Sequence, residues 1–120
     1  GALTVAPNGS VNGVNSNGTP QFGGSTRKGD WHCTGWFIGP QGGNTSVGPW
    51  TNTVTLYQIN GKGEISTAGL ELSDIGVTGT RSVTGGTGTY KRVSGTQEQR
   101  LLGFNATGGV GLRVTLKIFR

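Results

Sequence analysis

His32 and Cys33 are the only histidine and the only cysteine in the chain, and they are neighbours. A thiol becomes an effective nucleophile when an adjacent base activates it. Residues 30–38, Asp-Trp-His-Cys-Thr-Gly-Trp-Phe-Ile, are short and aromatic-rich, which predicts a strand. Adjacent strand residues point to opposite faces. His32 therefore cannot activate Cys33, and Cys33 is expected to behave as a small apolar side chain. One His, one Cys and five scattered acids offer no chelating spacing, so no metal is expected. The run Gly85-Gly86-Thr87-Gly88 has the composition of a phosphate loop. Such a loop needs a helix behind it to meet the anion, whereas Thr89-Tyr90-Lys91-Arg92-Val93 has strand character. A tight turn between strands is expected there, and no cofactor.

The aromatic group holds more chemical information. Trp31, Cys33, Gly35 and Phe37 share one face of their strand; His32, Thr34, Trp36 and Ile38 share the other. Trp50 and Tyr57 come from the next segment. Each aromatic alone can be core filling, but an indole N–H wants a hydrogen-bond partner. Several aromatics with a few polar groups are also how small-molecule pockets are lined. The expected pocket is lined by Trp31, Cys33, Phe37, Tyr57 and Glu71, with Trp50 and part of the 7–29 stretch as a lid. Tyr57 or Trp31 could donate a hydrogen bond to a carbonyl. Glu64, Glu71 and Glu98 are the acids considered for polarising a reacting group, and all three could equally be exposed.

These side chains must be held by strands. The 120 residues, read as one domain, include 25 Gly, 17 Thr and no Met. Thr, Val and aromatics favour strands, and Gly and Asn favour turns. Strands are expected over 2–6, 30–38, 51–60, 64–72, 81–84, 90–102 and 110–119. A long Gly/Asn/Ser/Thr loop is expected over 7–29, with room for an extra hairpin. Asn60-Gly61-Lys62-Gly63 is a hairpin turn. Residues 110–119 have the clearest period: Val110, Leu112, Val114, Leu116 and Ile118 lie on one face. Such alternation means a half-buried strand. Short strands with turn signals between them predict an antiparallel sandwich or barrel. A barrel of about eight strands has an interior that fits side chains or one small ligand.

The net charge is +5 and the pI about 10.0. Basic balance raises the expectation of anionic partners. Seven of the ten cations follow residue 80: Arg81, Lys91, Arg92, Arg100, Arg113, Lys117 and Arg120. The aromatics lie elsewhere, so these cations are read as solvated outer positions, and a nucleic-acid partner is not expected. No apolar run reaches the roughly 18–20 residues of a membrane helix, so no membrane span is expected. No charged start precedes an apolar run, so no signal peptide is expected in these residues. Cytoplasmic and secreted locations both stay open.

From Asp30 onward the order of motifs resembles the allene oxide cyclase and dirigent β-barrel superfamily. Ser82-Val83-Thr84-Gly85-Gly86-Thr87-Gly88-Thr89-Tyr90 followed by Gly95 is similar to the family's glycine-rich signature. Leu56-Tyr57-Gln58 through Gly61, Gly63, Glu64, Ile65 and Leu70 is similar to its glycine-turn hairpin. The early His-Asp pair of plant dirigents has no counterpart before Asp30, and Ser94 stands where they carry Arg. The resemblance implies a single small antiparallel barrel with a hydrophobic pocket. It also implies a cofactor-independent cyclase or isomerase that folds a polyketide- or polyene-like substrate for ring closure, including [4+2] cycloaddition. Tyr57 and Glu71 are the candidate catalytic residues. Trp31, Cys33, Phe37 and Trp50 are the candidate substrate contacts. A non-catalytic dirigent- or lectin-like binding barrel is the alternative. The 110–119 face must be buried in the barrel or in a subunit contact, and a dimer or trimer is expected.

Overall fold

Residues 2–5, 11–14, 27–38, 49–72, 74–104 and 110–119 are described by the structure, a computed structural model. The strands are β1 (Ala2–Val5), β2 (Val11–Val14), β3 (Arg27–Phe37), β4 (Pro49–Ile59), β5 (Gly63–Leu72), β6 (Thr78–Gly86), β7 (Ser94–Phe104) and β8 (Val110–Phe119). Among the described residues the only helical element is a 3-10 turn, Gly88–Tyr90. Each of β3 to β8 pairs antiparallel with the next in sequence, giving a six-stranded meander that curls into a half-barrel. Breaks in register within β4–β5, β5–β6 and β7–β8 add curvature. The short β1 pairs with β3 and with β2, and β2 pairs with β8.

Four sequence expectations need correction. The 7–29 stretch contains β2 and the start of β3. β3 and β4 begin before the apolar residues that announced them. β6 runs well beyond residues 81–84, because Thr and Ser pair as readily as apolar residues on an exposed face. β7 starts at Ser94 rather than Tyr90, which belongs to the 3-10 turn.

The inner face divides along its length. At the end where β5 begins and β8 finishes, Ile65, Val83 and Val93 are buried, packed by Ile59, Tyr90, Leu116 and Ile118. Gly95 lets β7 and β8 close up there. Its φ is +141°, and a Cβ would fall on the Lys117 carbonyl oxygen. Midway, Trp31, Tyr57 and Val114 form a second cluster with Cys33 and Leu112 against it. The alternation read in 110–119 is seen in Leu112, Val114, Leu116 and Ile118, which belong to these clusters.

Candidate active site

Towards the other end the interior becomes polar. Thr53, Thr55, Thr67, Arg81, Gln97 and Gln99 are all buried. This corrects one expectation: Arg81 is not a solvated outer cation. The cause is parity. Arg81 lies two residues before Val83 on one strand, so both face inward. Gln97 and Gln99 share their inward face in the same way on β7.

Arg81 organises the group. Its Nη1 donates to Glu71 Oε1 at 2.6 Å, and also reaches Thr55 Oγ1 at 3.2 Å and Gln99 Oε1 at 3.5 Å. Its Nη2 donates to the Thr53 carbonyl at 2.7 Å. Gln97 Nε2 donates to Gln99 Oε1 at 2.7 Å. The Arg81 side chain is 1% exposed and that of Glu71 20%. Removing two charges from water is costly unless both are paired and hydrogen-bonded, and here the pair is held at the edge of solvent. The buried Arg81 Nε, Gln97 Oε1 and Thr53 Oγ1 have no hydrogen-bond partner.

Of the residues singled out from sequence, the structure brings Trp31, Cys33, Tyr57 and Glu71 together. Trp31 and Tyr57 are register partners on β3 and β4. Cys33 Sγ lies 3.5 Å from Glu71 Oε1 and accepts from Thr55 Oγ1 at 3.4 Å. His32 faces outward, its Nε2 3.1 Å from Gln58 Oε1. As expected, it is on the opposite face from Cys33. Glu64 receives a hydrogen bond from Gln58 Nε2, and Glu98 pairs with Lys117, so both acids stand apart from Glu71. Trp36 is 72% exposed. The side chains of Phe37 and Trp50 lie outside the described residues, as does the proposed lid apart from 11–14 and 27–29. Sequence reasoning missed Arg81, Gln97 and Gln99.

Trp31, Thr55, Tyr57, Glu71, Gln99, Leu112 and Val114 bound a void of about 10 Å³, room for about one water. Burial pushes the Tyr57 phenol well above its ordinary pKa. Arg81 opposes this without prevailing, and the Glu71 carboxylate adds to it. Tyr57 is thus a neutral donor throughout the physiological range.

A pH dependence follows. The unfolded chain releases the Tyr57 proton near pH 10, while the folded chain keeps it to higher pH. Above pH 10 the unfolded state therefore binds fewer protons than the folded state. Stability should fall by about 1.4 kcal/mol per pH unit on this account, until the folded phenol also ionises. Below pH 10 this contribution is fully present. Urea unfolding at pH 9, 10 and 11 should show Tyr57→Phe losing less stability than the wild type. Parallel losses would contradict the burial of the phenol.

No family model, curated protein or solved structure matches the chain.

Proposed function

We propose that the chain is a cofactor-independent cyclase or isomerase, with the half-barrel closed by β1 and β2 into an eight-stranded barrel of allene oxide cyclase type. Its substrate is a hydrophobic, carbonyl-bearing chain held at the Glu71 mouth and folded there for ring closure. One observation carries this reading: a neutral phenol (Tyr57), a carboxylate clamped by Arg81 and an indole (Trp31) all border one void. Tyr57 donates to the carbonyl oxygen where negative charge gathers, and a fixed donor in a dry site is effective there. Glu71 accepts from a substrate hydroxyl and fixes its orientation. Most of the acceleration comes from freezing the substrate's rotors in a near-attack shape. In a [4+2] closure two π bonds become two C–C σ bonds, and no proton is lost.

The size of the void favours a second reading. Room for about one water in the described floor suits recognition of a small group rather than enclosure of a long chain. On that reading the protein binds without turnover.

A linear trienone, with a conjugated diene at one end and an enone dienophile at the other, is offered to the protein and tests both. Binding is read by tryptophan fluorescence and ring closure by chromatography with mass detection. Tyr57→Phe should cut closure by about 10²-fold while binding is largely kept, and Glu71→Gln should weaken binding. Binding without closure would favour the binding barrel, and no binding would count against both.

A further inference from the structure

The outer face of β7 and β8 carries a second feature, which meets the interior network at Gln99. Arg100 and Arg113 are direct register partners, and both are exposed. Like charges directly opposed across a sheet repel. Glu98, two residues along β7, is the acid that could separate them, but Lys117 Nζ holds it at 2.8 Å. Among the described residues neither arginine has an ion-pair partner. Arg100 extends towards Gly76, on the β6 side, where a Cβ would lie 3.5 Å from its Nη2. A groove of about 130 Å³ is lined by Thr78, Glu98, Gln99, Arg100, Arg113 and Thr115. Thr78 is the register partner of Arg100 on β6.

We propose that this groove binds a tetrahedral oxyanion, a phosphate or sulfate group. Two guanidinium forks offer paired N–H donors matched to such an anion, and threonine hydroxyls border the same space. Both arginines line the groove, and a bound anion would draw the Arg100 guanidinium back from Gly76 to share one negative charge with Arg113. The net charge of +5 draws anions to the surface. Lys117 has a supporting role: it occupies Glu98, which would otherwise turn onto the arginines and compete.

Calorimetric titration with inorganic phosphate and with sulfate, at constant ionic strength in chloride, tests the site. Saturable one-to-one binding is expected. Arg100→Gln and Arg113→Gln should each weaken it about tenfold or more. Lys117→Gln should also weaken it by releasing Glu98. Lys91→Gln, which removes a charge from the exposed turn before β7, should leave it unchanged. Thermal melts add a second readout: Arg113→Gln should melt higher than wild type in chloride, where repulsion is relieved, and lose its advantage in saturating sulfate. A sugar phosphate titrated alongside distinguishes the source. Tighter binding than inorganic phosphate marks an ester as the ligand, and equal binding marks the free ion. No saturable binding, an equal loss in Lys91→Gln, or equal destabilisation by Arg113→Gln in both salts would overturn the proposal.

Discussion

Replacing Arg81 with methionine should destabilise the protein by roughly 3 kcal/mol, the lower end of the cost of breaking a buried pair. The variant keeps an unbranched apolar stem but lacks the guanidinium, and so removes every donor. Glu71, the Thr53 carbonyl, Thr55 and Gln99 all lose a partner at once. Glu71 is a fifth exposed and can recover some hydration, which places the cost at the lower end. The double variant Arg81→Met, Glu71→Leu removes both charges and should recover much of the loss, because apolar replacements of a buried pair are often neutral or better. Urea unfolding of the two variants gives both numbers. A single-variant loss below about 0.5 kcal/mol, typical of a surface position, would mean the guanidinium is not buried as described.

Trp31→Ala should cost about 3–5 kcal/mol. Trp31 is 8% exposed and clusters with Tyr57 and Val114, so truncating it opens a cavity in the centre of the sheet's inner face. From the sequence, the same change is expected to cost binding and turnover while leaving the fold largely intact. The packing makes that separation unattainable with alanine. Trp31→Phe, which keeps a ring against Tyr57, should lose a smaller share and is the better probe of ligand contact. Thermal melts should show the difference on the order of 10–20 °C for alanine. An alanine variant that melts like the wild type would place Trp31 in a pocket wall with slack around it.

Much of the sheet was legible because its faces obey strict parity. The alternation over residues 110–119 and the split of residues 31–38 into Trp31/Cys33 and His32/Trp36 faces follow from the two-residue strand period, and both agree with burial. β6 was harder to see, since Thr78, Thr80, Ser82 and Thr84 supply no apolar contrast. Arg81 was missed because a charged side chain is assigned outward by habit. Its phase with Val83 was the available signal, and the phase of Gln97 and Gln99 with Leu101 was another. Chemical type misled where position did not. Pairing between Arg81 and Glu71 links residues ten apart on adjacent strands, and one sequence read linearly does not fix the register that joins them.

The apolar packing of Ile65, Val83, Val93 and Ile118 makes the inner face a cul-de-sac. Among the described residues that end is packed shut, so on the proposed function a ligand would come and go beside Glu71. On that function, a molecule admitted beside Glu71 would not be pushed out of the far end by the next arrival; it would back out before another entered. Occupancy would be one at a time, and residence would be set by the rate of exit rather than by throughflow. A reaction hosted there would be governed by product clearance, and a close analogue of its product would act as a competitive blocker of the same entrance.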